Sequence, residues 1–181
     1  MLRSQVNQSD RESYACTAVQ LLTSHPVFES SRHIACYYAS DREFATLPFM
    51  KAIWQSNKVC YLPIITEQKS LLFAEYNEGD ELQSNQFMIP EPVGTKHIIH
   101  PDKLDLVLLP LLAYDNNGGR LGMGGGYYDR AFSFVHDDKL RDKPPCLVGL
   151  GYSLQYCDNI CSESWDVELN GVLNEKEFIT F

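Results

Sequence analysis

Residues 104–130 read LDLVLLPLLAYDNNGGRLGMGGGYYDR, and this one stretch passes from a strand signal through a turn to a helix signal. Leu104 to Leu109 is a near-continuous apolar run of the kind buried on both faces of a parallel sheet. Tyr114 to Gly119 is rich in turn formers, and from Tyr128 the apolar positions Phe132 and Val135 switch to helical spacing. Between turn and helix lie four glycines within five positions, Gly122, Gly124, Gly125 and Gly126. Glycine admits positive φ and lets another group approach the backbone closely, and N–H groups gathered ahead of a helix suit an anion such as phosphate. On the glycines alone the loop is equally a tight turn that holds nothing. It is not a dinucleotide fingerprint, because Tyr127 stands where the last glycine would, nor a Walker loop, because Gly125 and Gly126 stand where Lys and Ser/Thr are required.

Two charged neighbours sharpen the reading. Arg120 can offer a planar fork of donors to phosphoryl oxygens. Asp129 either stabilises its helix dipole or, with phosphates in the loop, needs a divalent cation between itself and them, which points to Mg2+.

Outward from this stretch, strand and helix signals alternate. Ser9 and Glu12 have capping-box spacing before a helix reaching about Ser24, ended by Pro26. Arg32 to Tyr38 reads as a buried strand, Leu47, Met50, Ile53 and Trp54 recur at helical spacing, and Lys58 to Pro63 is a strand again, a βαβ unit. Leu71 to Tyr76 is a further strand, Leu82 to Pro101 a proline-bearing loop excursion, Cys146 to Tyr152 a buried strand and Val172 to Phe181 a closing one. The expectation is an α/β fold: one three-layer domain over residues 1–181, with a mostly parallel central sheet.

Composition narrows the function classes. With 181 residues, 44% hydrophobic and 22% charged, the chain suits one folded domain. A formal charge of -9 argues against nucleic-acid or membrane-surface binding, and no apolar run reaches membrane-spanning length. The polar N-terminus lacks a secretory signal, so a cytoplasmic location and a monomer are expected. The six cysteines are scattered and read as buried thiols, Cys157 and Cys161 lacking the second pair a metal site needs.

The 104–130 run, with its P-x-x-A-[FY]-D and R-L-G-x-G-x-G-[FY]-Y-D-R patterns, resembles the signature region of the 5-formyltetrahydrofolate cyclo-ligase family. IACYYASDREFATLPFM, VCYLPII, LLFAEYNEGDEL and FMIPEP extend the similarity over nearly the whole chain. The resemblance implies a fold related to the sugar-isomerase and CoA-transferase-like group. It also implies ATP as co-substrate, Mg2+, and cyclisation of 5-formyltetrahydrofolate to 5,10-methenyltetrahydrofolate.

By similarity, Arg120, Leu121, Gly122, Met123, Gly124, Gly125, Gly126, Tyr127 and Tyr128 form the ATP phosphate loop, Arg120 and Tyr128 are catalytic, and Asp129 and Asp166 hold the metal. Glu43 matches the acidic pterin-binding residue; Tyr38, Phe87 and Tyr128 would wall the folate pocket and Gln155 would lie near it. Met88 stands where many members have glycine. Members also carry a basic stretch before the first helix; Arg3 and Arg11 are the cations near that place here, and which group meets the phosphates from that side is left open. The five histidines match no family motif and take no catalytic role. The competing reading is a protein that binds 5-formyltetrahydrofolate without turning it over; a nucleotide-binding regulatory domain fits Glu43 and the FMIPEP loop less well.

Overall fold

In the computed structural model, which describes residues 2–40, 42–94, 97–136 and 144–181, the apolar run after Asp105 is a strand in which every residue from Leu106 to Leu109 is buried. In chain order the strands are β1 (His33–Ala35), β2 (Val59–Ile65), β3 (Leu71–Glu75), β4 (Leu82–Ser84), β5 (Pro90–Pro92), β6 (Ile98–Ile99), β7 (Leu106–Pro110), β8 (Ala113–Tyr114), β9 (Arg120–Leu121), β10 (Cys146–Leu150), β11 (Gly171–Leu173) and β12 (Phe178–Thr180). The α-helices are α1 (Gln8–Thr23), α2 (Pro26–Ser30), α3 (Leu47–Gln55) and α4 (Tyr127–Phe132).

Eight strands form one sheet in the order β12-β11-β10-β7-β1-β2-β3-β6. Neighbours from β11 to β2 run parallel, while β12, β3 and β6 pair antiparallel. Because side chains alternate across a strand, β7 serves two cores. Leu106 and Leu108, with Ile34, Cys60 and Leu62, pack under Ala15, Ala18 and Leu22 of α1 and Phe49, Met50 and Ile53 of α3. Val107 and Leu109, with Ala35 and Tyr61, pack against Ala131 and Phe132 of α4. That makes the expected three layers. Truncating a residue such as Leu108 to Ala would cost about 2–5 kcal/mol, the sum of lost transfer energy and a cavity with little room to collapse.

The order places β2 on one side of β1 and β7 on the other. Chain direction along the sheet therefore reverses between β1 and β7, and in open α/β sheets the loops leaving such a switch point frame a crevice at the strands' carboxyl ends. The loop after β1 carries Tyr38 and Glu43; the segment after β7 carries Arg120 to Asp129.

Five local expectations are corrected. Of the cysteines only Cys36 and Cys60, which sit on or beside central strands, are buried; Cys146 and Cys157 are half-buried, and Cys16 and Cys161 are exposed. Helix α1 starts before the Ser9 capping box, because Asn7 is the N-cap and its side chain accepts from Asp10 N. The loop excursion holds a two-stranded ribbon, β4 with β5, and a short β6; Thr95 and Lys96 lie outside the described residues. The closing strand is a hairpin, since Asn174 Oδ1 accepts from Lys176 N and Glu177 N and turns the chain. The glycine loop does not follow β7 directly; the β8–β9 hairpin stands between them.

Candidate active site

The turn between β8 and β9 is built on Asp115, which is 1% exposed. Its Oδ1 accepts from Asn117 N and Gly119 N, both at 2.9 Å, and its Oδ2 from Ile160 N at 2.8 Å. Burial alone would push this carboxyl up, yet the N–H donors of Ile160, Asn117 and Gly119 outweigh it and hold the group below the usual carboxylate range. The turn registers Arg120 opposite Tyr114 and releases the chain into the glycine loop.

The Arg120 side chain is nearly enclosed. Its Nη2 donates to Asp129 Oδ1 at 2.5 Å, its guanidinium carbon lies 5.9 Å from the centre of the Tyr128 ring, and its buried Nε has no acceptor among the described residues. Asp129 Oδ1 also accepts from Val167 N at 3.3 Å. In the loop itself Gly124 (φ +83°) and Gly126 (φ +62°) occupy the left-handed region that glycine enters without cost. Among the described residues, no backbone N–H from Gly122 to Asp129 donates to a protein acceptor. This is a run of donors on one turn of chain, beside a buried guanidinium.

A cleft of about 550 Å³ is lined by Arg3, Tyr38, Ser40, Arg42, Met88 and Ile89, with Met123 reaching in from the glycine loop. Met88 and Met123 are 80% and 81% exposed, an apolar rim of the size a flat ring system covers. Phe87 meets Tyr127 edge-on with ring centres 6.1 Å apart, so the FMIPEP turn touches the end of the glycine loop. Met88 holds φ +60°, a left-handed conformation that residues other than glycine adopt uncommonly. That tip is fixed by Asn85, whose Oδ1 accepts from Phe87 N and Ile89 N, and by Glu91, whose Oε1 accepts from Asn85 Nδ2 and Ile65 N.

Glu43 is buried at the foot of the loop after β1. Its Oε2 accepts from Ser40 N at 2.8 Å, and its Oε1 lies 3.7 Å from Nη1 of the buried Arg3. Arg11 Nη2 and Tyr152 Oη donate to the Glu43 carbonyl, at 2.9 and 3.2 Å. Burial pushes the Tyr128 phenol far above its ordinary range, the Glu43 charge adds to this, and Arg120 only partly opposes it. Tyr128 is therefore a neutral hydroxyl at physiological pH, able to donate a hydrogen bond and unable to act as a base. Arg120 lies 5.9 Å from the Tyr128 ring, so the structure brings these two expected site residues together, and the Glu43 charge is felt at the same phenol.

Gln155 and Asp166 are placed differently. The Gln155 side chain is spent on backbone: Nε2 donates to Leu111 O and Leu112 O at 3.0 Å, and Oε1 accepts from Tyr152 N at 2.9 Å, which braces the chain leaving β7. Asp166 Oδ2 accepts from Glu163 N at 2.8 Å, and the residue lines a second cavity of about 440 Å³ with Glu163, Glu168 and His136. Its neighbour Val167 is what touches Asp129. Among the described residues no three or more His, Cys, Asp or Glu side chains converge as a metal cage. Asp129 alone stands at the edge of the glycine loop, and one carboxylate suffices for Mg2+, which commonly takes one or two and completes its shell with phosphate and water.

Sequence reasoning missed Asp115 and left open whether Arg3 or Arg11 serves the site. Asp115 was legible, since an aspartate opening D-N-N-G-G is an Asx-turn signal; nothing in the sequence marks Arg3 as buried.

The chain matches the 5-formyltetrahydrofolate cyclo-ligase family over residues 1–175. It is 34% identical over 163 residues to the 5-formyltetrahydrofolate cyclo-ligase of Haemophilus influenzae, covering 86% of this chain and 84% of that one. To the enzyme of that name from Escherichia coli K12 it is 30% identical over 174 residues, covering 94% and 92%. The solved structure of Aquifex aeolicus 5,10-methenyltetrahydrofolate synthetase superposes with a TM-score of 0.81 at 25% identity, over 98% of this chain and 86% of that one. Shared sequence over most of its length, together with a shared fold, makes this chain a member of the 5-formyltetrahydrofolate cyclo-ligase family.

Proposed function

We propose that the protein cyclises 5-formyltetrahydrofolate to 5,10-methenyltetrahydrofolate, using ATP and Mg2+ and releasing ADP and phosphate. The observation that carries this reading is the run of N–H donors from Gly122 to Asp129, unpaired among the described residues, beside Arg120 and sharing Met123 with the cleft that Tyr38 lines.

A formamide carbon is a weak electrophile, so the formyl oxygen has to become a leaving group. That oxygen attacks the γ-phosphorus, an O–P bond forms, and the bond to the β-γ bridging oxygen breaks as ADP departs. The N10 lone pair then forms the new C–N bond, the C–O bond breaks to expel phosphate, and the N10 proton is lost to solvent. Positioning and charge stabilisation are the protein's share of such a transfer. The loop amides and Arg120 balance charge on the transferred group, and the neutral Tyr128 donates to an oxygen at the reacting centre. Glu43, 3.7 Å from Arg3, accepts from the pterin amino and ring N–H groups. Arg3 supplies the N-terminal cation on that wall. Asp129 and Asp166 would hold Mg2+, which would offset the charge of the phosphates. Gln155 acts through the backbone it braces.

Mixing protein, MgATP and 5-formyltetrahydrofolate tests the reading: a methenyl absorbance in the near ultraviolet should grow in step with ADP. Absence of both at high protein concentration overturns it. The Arg120–Asp129 contact also favours a second reading, a non-catalytic folate binder whose phosphate and metal groups satisfy each other. Tight folate binding unaffected by MgATP would select that alternative.

A further inference from the structure

Arg130, in the last turn of α4, is exposed and still held in place. Its Nε donates to Lys69 O at 2.7 Å and its Nη2 to Gly125 O at 2.6 Å, while the guanidinium carbon stands 5.2 Å from the centre of the Tyr127 ring. A side chain on Gly126 would come within 2.7 Å of Arg130 Nη1. Lys69 is the left-handed residue (φ +56°) in the turn joining β2 to β3, and its own N–H is bonded to Thr66 O. One planar side chain therefore ties a rigid hairpin tip to the end of the glycine loop.

The consequence lies in the geometry of the peptide unit. Across a trans peptide the carbonyl and the following N–H point in opposite directions. Fixing the Gly125 carbonyl on Arg130 fixes the Gly126 N–H on the opposite side, and that N–H has no acceptor among the described residues. Without the clasp, Gly124, Gly125 and Gly126 can rotate this peptide cheaply, because no side chain restrains them. An amide that must be oriented during binding contributes less than one oriented beforehand.

We infer that Arg130 is a positioning residue for nucleotide binding: it pins the Gly125–Gly126 peptide so that the Gly126 N–H is presented to the phosphates of ATP, without touching the nucleotide itself. This rests on the cyclo-ligase reading for the identity of the ligand. A lysine cannot replace it, since an ammonium lacks the planar fork that spans two carbonyls and lies on a ring.

The test compares wild type, Arg130→Ala and Arg130→Lys, measuring MgATP affinity by calorimetry, 5-formyltetrahydrofolate affinity by fluorescence without nucleotide, and kcat and KM for each substrate. Loss of one charge-assisted, preorganising contact should weaken MgATP binding and raise its KM about tenfold in Arg130→Ala. Folate affinity should stay within about twofold, Arg130→Lys should be nearly as impaired, and methylguanidinium should restore part of the nucleotide affinity of Arg130→Ala. Unchanged MgATP affinity, a lysine variant equal to wild type, or a parallel loss of both affinities would overturn the assignment. Wild type that binds MgATP but forms no methenyl product defeats the cyclo-ligase reading alone, because the calorimetric comparison still decides the part of Arg130. Wild type that binds no nucleotide defeats both.

Discussion

Arg120 holds the most consequential contact in the molecule, because the group expected to steady phosphoryl charge is paired with the carboxylate expected to hold the metal. If the proposed chemistry is right, Arg120→Ala should lower kcat about a hundredfold while the folate dissociation constant moves by less than about threefold, since its donors act on charge that develops in transfer. Activity equal to the parent would remove that role. Asp129→Asn should raise the Mg2+ concentration needed for half-maximal rate; an unchanged titration would leave the carboxylate as Arg120's anchor and nothing more. Met88 makes a separate prediction from its backbone. A β-branched residue tolerates φ +60° poorly, so Met88→Val should cost about 1–2 kcal/mol in urea unfolding, whereas Met88→Gly should cost nothing measurable.

At the scale of elements, the β8–β9 turn is a carboxylate wrapped in amides. Because the folded pKa of Asp115 is depressed, its stabilisation is complete above the unfolded carboxylate pKa, about 4, and is lost as pH falls through the lower folded value. Asp115→Asn should therefore destabilise by about 3 kcal/mol near neutrality, with the gap to wild type narrowing at pH 3 in denaturant titrations. Buried parallel strands such as β7 were legible because an unbroken apolar run has few other uses. The β4–β5 ribbon was not, since Pro90 and Pro92 read as breakers and only their positions in an isolated two-strand ribbon make them tolerable. The Asn174 turn was missed for a different reason: valine and leucine before it and phenylalanine and isoleucine after it merge into one strand signal unless the asparagine side chain is given its backbone bonds. The candidate site followed the same division. The glycine loop announced itself through composition, while the burial of Arg3 and the complete engagement of Gln155 depend on partners distant in sequence.

Over the whole molecule, the crevice lies between the loop after β1 and the segment after β7, and the N-terminal Arg3 and the FMIPEP turn contribute to the same cleft. Ligand that bridges these segments should stabilise the native state globally. At about a hundred times its dissociation constant, 5-formyltetrahydrofolate should add about 2.7 kcal/mol and raise the unfolding midpoint by about 5–10 °C in thermal denaturation. A midpoint that does not respond would argue that the cleft binds some other compound.

The pairing of Ile34 with Leu106 and of Ala35 with Val107 has a consequence for how the protein is made. The first βαβ unit emerges from the ribosome with one edge of β1 unpaired, and that edge stays open until β7 has been synthesised. Closing so long a loop is slow compared with local helix formation. Through that interval the nascent chain presents a bare apolar strand edge, the kind of surface that holdase chaperones cover and that misdocks with neighbouring chains at high expression.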